Sequence, residues 1–197
     1  MDIGKYKAVE LWAGRLGGVL TTADLKVVLD ERADATLYRM VGEMVAHGVF
    51  VRVKRGVYAT RDAALTTVSS RIEPKSYIST GTVLASKAVI GSVPGHKVQA
   101  VKVGRPRTYR CELGTIEHLS ISPDLYFGFE SIDGQLVASV EKAFLDVCYF
   151  TYHGHRFSFD PATDINLESI DFGIVTHHLK CYDSRFVSFF HRIWGQV

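Results

Sequence analysis

The sequence has few cysteines and no long apolar run, and both absences limit the class of protein. Three cysteines occur in 197 residues, at positions 111, 148 and 181. Because this set is odd and widely spaced, it does not form a disulfide framework, which favours a reducing cytoplasm. No stretch approaches the roughly 20 apolar residues of a membrane-spanning helix, and the first residues lack the apolar segment of a signal peptide. We therefore expect a cytoplasmic protein with no membrane partner.

Sequence signatures of catalysis and cofactor binding are also absent. There is no Gly-rich phosphate loop, no Cys-x-x-Cys pair and no Gly-x-Ser-x-Gly turn, so we expect neither an enzyme nor a cofactor. His177, His178 and Cys181 are the best metal candidates, but zinc needs further ligands, and only His153 and His155 lie nearby in sequence. Histidine pairs are more often structural or exposed, so we expect no metal.

The sequence also has little excess of positive over negative charge. The formal net charge is +2, so bulk electrostatics do not indicate a nucleic-acid partner, and any DNA contact must come from a local basic patch. Up to Asp62 the chain carries ten Lys or Arg against eight Asp or Glu, whereas the remainder carries thirteen of each. The small excess of positive charge therefore lies in the N-terminal part.

The first sixty residues show the pattern of three helices followed by a hairpin. Apolar residues recur at helical spacing over residues 5–16. A second helix is predicted at Thr21, where a hydroxyl precedes an acid by three residues, as in a capping box. Asp34 is suited to cap a third helix, and residues 49–53 and 57–59 predict strands around a Lys-Arg-Gly turn. This order predicts a winged helix-turn-helix domain over residues 1–62.

The remaining residues predict a mixed α/β domain. Residues 63–76 could form a helix that links two domains, ended by Pro74. Residues 97–103, 108–113 and 115–122 alternate as strands do, and residues 137–149 show the clearest helical spacing of this half. We therefore expect an α+β fold, with the second domain over residues 77–197.

Candidate DNA contacts follow from the helix-turn-helix geometry, in which the second helix of the motif enters the major groove. On the predicted third helix, Thr36, Tyr38 and Arg39 are left outside the apolar stripe; Arg39 could bond guanine or clamp a phosphate. The predicted wing offers a second set for phosphate or the minor groove, namely Arg52, Lys54 and Arg55. A third set lies on the later strands and a Gly-Arg-Pro-Arg turn, where several members could share one face: Lys97, Lys102, Arg105, Arg107 and Arg110.

That third set has two interpretations. It could add phosphate contacts, which would make DNA binding a property of both domains. It could equally be a solvated basic hairpin or a surface for an acidic protein partner.

Glu141, Lys142 and Asp146 bring two carboxylates and an amine within six residues of one predicted helix. Such groups can perform acid–base chemistry. However, Lys142 and Asp146 are four residues apart and therefore neighbours on a helix. We expect them to form a surface ion pair rather than a catalytic site.

Several strings resemble the AbiEi family of type IV antitoxins and transcriptional regulators. The most telling is Glu141-Lys142-Ala143 with Asp146; the others are Leu20–Leu25, Leu37–Val41, His47–Val49, Arg55–Tyr58 and Tyr77–Thr80. The resemblance implies a winged helix followed by a mixed α/β domain, and binding to inverted repeats at the protein's own promoter. It further implies a cognate nucleotidyltransferase-like toxin, and DNA contacts at Thr36, Arg39, Lys54 and Arg55.

The sequence leaves three candidate functions open. The first is a sequence-specific DNA-binding repressor that acts as an antitoxin, as a monomer or a homodimer. The second is a protein-interaction module that neutralises or escorts a partner without binding DNA. The third is a nucleic-acid-processing enzyme, for which the sequence offers almost no support.

Overall fold

The computed structural model describes residues 3–91 and 95–195. Within them, eight α-helices and nine strands arranged in two sheets confirm the predicted α+β class. The helices are α1 Ile3–Arg15, α2 Thr22–Val28, α3 Asp34–Ala46, α4 Leu65–Ile72, α5 Thr80–Ser86, α6 Val140–Tyr152, α7 Phe172–Leu179 and α8 Ser184–Trp194. The strands are β1 Val19–Thr21, β2 Val51–Lys54, β3 Val57–Ala59, β4 Tyr77–Ile78, β5 Lys97–Val103, β6 Arg107–Cys111, β7 Gly114–Ile121, β8 Phe129–Ile132 and β9 Gln135–Ala138.

The chain divides into two compact units. Unit 1 comprises the residues up to Pro74 together with Thr108–Ile116, and unit 2 comprises Lys75–Arg107 and the residues from Glu117 onward. Helix α4, expected to link two domains, belongs to unit 1, and so does the tip of the β6–β7 hairpin, expected in the second domain. In the described part of both units, no helix is long and apolar enough to cross a membrane.

The start of α2 follows directly from its sequence. Thr21 Oγ1 accepts a hydrogen bond from the Asp24 amide at 3.2 Å, and Asp24 Oδ2 accepts one from the Thr21 amide at 2.7 Å. This is the predicted capping box, and it satisfies two amides that the helix itself leaves unpaired. The predicted cap of α3 is wrong: Asp34 is the first helical residue, Ala33 precedes it without a side-chain cap, and Asp34 instead pairs with Lys26 at 2.6 Å.

A three-stranded antiparallel sheet completes unit 1, in the order β1-β3-β2. At the tip of the β2–β3 hairpin, Gly56 has a φ of +78°, a conformation that glycine adopts without steric cost. The carbonyl oxygen of Gly56 accepts a hydrogen bond from the Thr22 amide at 2.9 Å. The hairpin tip is therefore fixed to the start of α2.

Two apolar clusters hold unit 1 together. The first joins α1, β1, α2 and α3 through buried side chains that include Leu20, Leu25 and Leu37. The second packs the sheet against α4 and Ile116, which is fully buried although it lies more than fifty residues after the last strand of that sheet. Burial of such aliphatic side chains contributes about 1.5–3 kcal/mol each.

The second sheet has the order β6-β7-β5-β4-β9-β8, with β4 antiparallel to β5 and parallel to β9. Helix α6 lies at the centre of the core of unit 2, with Ala143, Phe144 and Val147 fully buried. The helix begins at Val140 and not at residue 137, because residues 135–138 pair with β8 across the Asp133-Gly134 turn and Ser139 caps the helix by accepting from the Lys142 amide.

Candidate nucleic-acid interface

Helix α3 separates its side chains into an inner and an outer face. Leu37, Met40, Val41 and Met44 are buried in the first apolar cluster of unit 1. Of the residues expected outside this stripe, Tyr38 and Arg39 are exposed, and Thr36 is half-buried. The outer face of α3 therefore carries a hydroxyl, a phenol and a guanidinium near its N-terminal half, which suits contact with base edges and phosphates.

Arg39 does not stand alone on that face. Its Nη1 lies 2.6 Å from Glu43 Oε1, one helical turn further on, and the two side chains are 66% and 39% exposed. Exposed ion pairs of this kind contribute about 0–1 kcal/mol, because water screens the charges and two long side chains must be ordered. The guanidinium can therefore exchange Glu43 for a phosphate or a base at little cost.

Gly42 leaves open space on α3. A Cβ built at this position would meet no atom within 4 Å among the neighbouring described residues. A helix-interior glycine costs about 1 kcal/mol relative to alanine, and the packing within unit 1 does not require it. The space above Gly42 is available for the close approach of another molecule.

The β2–β3 hairpin supplies further cations in unit 1. Arg52 and Arg55 are exposed, and Lys54 is half-buried. Lys54 Nζ lies 5.5 Å from the centre of the Tyr109 ring. The ladder between β2 and β3 is irregular between Arg52 and Lys54, so the hairpin tip departs from regular pairing where its cations lie.

The three acids within α2 and α3 are each engaged with a partner. Asp24 Oδ2 lies 2.5 Å from Arg71 Nη2, Asp34 is paired with Lys26, and Glu43 is paired with Arg39. Since these carboxylates are neutralised, they oppose an approaching phosphate less than the sequence alone suggests.

The first member of the later basic set, Lys97, is paired with an acid. Lys97 Nζ lies 2.7 Å from Glu117 Oε2, which also accepts from Gln99 Nε2 at 2.8 Å. Burial raises the pKa of Glu117, but these hydrogen bonds and the Lys97 charge outweigh it and hold the pKa below its ordinary value. Lys97 is thus neutralised within unit 2 by Glu117, which lies outside residues 97–110, the range that contains the basic set.

The other members of that set are divided between the units. Arg110 belongs to unit 1, whereas Lys102, Arg105 and Arg107 belong to unit 2. The three arginines are exposed and Lys102 is half-buried. Arg107 and Arg110 are three residues apart on β6 and therefore point to opposite faces of the strand, so these two are not among the members that could share one face.

The expected surface position of the Lys142–Asp146 pair is wrong. Lys142 Nζ lies 2.7 Å from Asp146 Oδ1, and both side chains are 0% exposed. Asp146 Oδ2 accepts hydrogen bonds from Tyr77 Oη at 2.9 Å and from Ser79 Oγ at 2.7 Å, and Lys142 Nζ lies 3.3 Å from Tyr182 Oη. The spacing predicted the pair, but only the packing of α6 against β4 and α5 reveals that it is buried.

Two further features stabilise this buried network: an aromatic ring beside Lys142 and the protonated state of two tyrosines. The Lys142 ammonium lies 4.7 Å from the centre of the Phe127 ring, so an aromatic face covers the side that Asp146 leaves open. Burial, together with the Asp146 charge, raises the pKa of Tyr77 and of Tyr182, so both phenols remain protonated. Tyr77 donates to Asp146, and Tyr182 accepts from Lys142. Because its charges are paired and buried, this network is suited to stabilising the fold and not to reacting with a substrate that arrives from solvent.

The histidine and cysteine cluster near the C-terminus is not assembled as a ligand set. Helix α7 ends at Leu179, so Cys181 lies beyond it and does not share a helical face with His177. Among residues 3–91 and 95–195, no group of three or more His, Cys, Asp or Glu side chains is placed to hold a metal ion. His178 instead packs edge-on against Phe127, and burial lowers its pKa.

Comparison with solved structures shows a similarity in fold. No protein-family model matches the chain, and no curated protein matches it. The chain is similar in structure to the RV2827C protein from Mycobacterium tuberculosis, with a TM-score of 0.64 and 12% sequence identity, over 99% of this chain and 77% of that one. At this identity the similarity shows a shared fold.

Proposed function

We propose that unit 1 contains a winged helix-turn-helix that binds double-stranded DNA, and that the protein is a sequence-specific transcriptional repressor. The observation that supports this most strongly is the outer face of α3. It presents Thr36, Tyr38 and Arg39 beside the open space at Gly42. A basic hairpin follows in the chain order of a winged helix.

In this proposal α3 lies in the major groove, with its N-terminal residues at the base edges. Arg39 leaves Glu43 and donates two hydrogen bonds to a guanine, or clamps a phosphate. Thr36 and Tyr38 form hydrogen bonds with the DNA backbone. Arg52, Lys54 and Arg55 on the β2–β3 hairpin lie along phosphates or in the minor groove, and Arg110 adds a cation from the same unit.

The narrower proposal is that this repressor is the antitoxin of a type IV toxin–antitoxin pair. The resemblance of several strings to the AbiEi family supports it. On this proposal the protein acts in the cytoplasm, binds inverted repeats at its own promoter, and counteracts a nucleotidyltransferase-like toxin; it needs no cofactor and performs no catalysis.

Binding to the DNA immediately upstream of the protein's own reading frame tests the proposal. We expect Arg39→Ala to weaken binding to that fragment by about 1–3 kcal/mol and to leave the unfolding midpoint unchanged. The matched control is Arg185→Ala, which removes an exposed arginine of α8 in unit 2. If Arg39→Ala and a Lys54→Ala/Arg55→Ala double variant both bind like the unaltered protein, the proposed interface is wrong.

One observation favours the alternative, a protein-interaction module. Apolar side chains of α1 lie open to solvent, with Ile3 74% and Leu11 56% exposed, and Trp12 is partly exposed beside them. Exposed apolar patches commonly mark protein interfaces. Co-purification with the product of an adjacent gene, together with no affinity for any duplex, would favour this function over the repressor.

A further inference from the structure

The tip of the β6–β7 hairpin is built into the core of unit 1. Ile116 is fully buried in the second apolar cluster, and Tyr109, Cys111 and Leu113 pack against that cluster. Glu112 Oε2 lies 3.1 Å from Arg61 Nη2, just after β3. These contacts place a segment from the middle of the sequence beside the proposed wing.

Within this segment Tyr109 meets the wing directly. Its ring packs partly in the cluster and also lies 5.5 Å from Lys54 Nζ. Neighbouring side chains on β6 alternate to the opposite face, and Thr108 and Arg110 are accordingly exposed. Within the described residues, no carboxylate lies within ion-pair distance of Lys54.

The kind of partner matters for a cation that must bind a phosphate. A carboxylate orients a cation but neutralises it, as Glu117 does for Lys97. An aromatic face attracts the ammonium through its quadrupole and leaves the positive charge in place. It also removes part of the rotamer entropy of the lysine before DNA arrives, which lowers the cost of binding.

We propose that Tyr109 is a positioning residue for DNA binding, whose ring holds the charged Lys54 side chain at the wing tip for contact with a phosphate. This inference rests on the proposed DNA-binding function. It assigns to the β6–β7 hairpin a part in that function, although this hairpin begins nearly fifty residues after the end of the β2–β3 hairpin.

The test uses full-length protein and mixed-sequence double-stranded DNA, because phosphate contacts dominate binding to such DNA. Dissociation constants are measured over a series of salt concentrations for Lys54→Ala, Tyr109→Leu and Tyr109→Phe. We expect Lys54→Ala to reduce the salt slope by about one. Tyr109→Leu should weaken binding about two- to five-fold and reduce the slope. Tyr109→Phe, which keeps the ring, should behave like the unaltered protein, and Tyr109→Leu should add nothing to Lys54→Ala.

A second measurement is independent of DNA and of the stability of Tyr109→Leu. In the unaltered protein and in Tyr109→Phe, the ring should shift the Lys54 ε-methylene proton resonances upfield in NMR spectra. If that shift is absent, or if Lys54→Ala lowers the salt slope while a folded Tyr109→Leu does not, the positioning role is wrong and the DNA-binding function stands. If Lys54→Ala leaves affinity and slope unchanged, the wing contact itself is wrong. If the unaltered protein binds no duplex, the proposed function fails.

Discussion

Helices α3 and α6 each carry a cation and a carboxylate four residues apart, and the two pairs have almost the same geometry. Arg39 and Glu43 approach to 2.6 Å, and Lys142 and Asp146 to 2.7 Å. Their surroundings differ completely. The pair on α3 is largely exposed to water, whereas the pair on α6 is fully enclosed.

The difference decides what each pair can do. Water screens the exposed pair, so Arg39 can leave Glu43 for a ligand with little loss. The buried pair has lost its hydration, and only its mutual attraction and its other hydrogen bonds offset that loss. Tyr77 and Ser79 provide those bonds to Asp146. The same spacing in the sequence therefore gives an exposed pair that can exchange its partner in one unit and an enclosed pair that supports the fold in the other.

The largest expected effect comes from breaking the buried pair. Asp146→Ala leaves the Lys142 ammonium uncompensated and removes the acceptor of Tyr77 and Ser79. We expect the free energy of unfolding to fall by about 3–5 kcal/mol, measured by urea denaturation. Replacing both partners by apolar residues, as in Lys142→Met/Asp146→Leu, should recover much of that loss, because no unpaired charge remains.

The matched control is Glu43→Ala, which removes the carboxylate of the exposed pair. We expect a change within about 0.5 kcal/mol. If Asp146→Ala and Glu43→Ala destabilise the protein equally, burial does not distinguish the contributions of the two pairs to stability.

The Asp24–Arg71 pair of unit 1 lies between these extremes, with side chains 28% and 34% exposed. Burial raises the pKa of Asp24, but hydrogen bonds from Thr21 and the Arg71 charge outweigh it, so the pKa is lowered. A lowered pKa means that the contribution of Asp24 to stability is fully present above about pH 4. It is lost as the pH falls through the lower value in the folded protein.

Asp24→Asn should therefore cost about 1 kcal/mol at neutral pH, since it weakens both the capping box and the ion pair. The difference from the unaltered protein should shrink below about pH 4. Thermal unfolding over a range of pH checks this, with Asp34→Asn as an exposed control. A difference that grows on acidification would contradict the assigned direction of the pKa shift.

Much of the fold follows from local patterns in the sequence. The spacing of apolar residues gave the helices of unit 1 to within a few residues, and Thr21 with Asp24 predicted the capping box that the structure contains. The α+β class is confirmed for the same reason: helical and strand periodicities are properties of short windows. The DNA contacts stay a prediction, because they depend on a molecule outside the chain.

The features that sequence reasoning missed depend on residues far apart along the chain. Glu117 neutralises Lys97 across neighbouring strands. Tyr77 and Ser79 reach Asp146 from nearly seventy residues away. The contact of Tyr109 with Lys54 spans more than fifty residues. One clue lay in the sequence: a lysine and an aspartate within the otherwise apolar face of α6 must be either exposed or paired.

The smallest expected effect concerns the exposed pair in its proposed role. Glu43→Gln removes a charge that repels phosphate and that holds Arg39 away from it. We expect the stability to change by no more than about 0.5 kcal/mol and the affinity for DNA to rise about two- to five-fold at low salt. The gain should shrink as salt is added, because screening weakens both the repulsion and the ion pair. Asp146→Asn provides the contrast, since it should lower stability without raising affinity for DNA. An affinity that stays unchanged at low salt in Glu43→Gln would place Arg39 outside the interface, and the ion pairs of α3 and α6 would then differ in their contribution to stability alone.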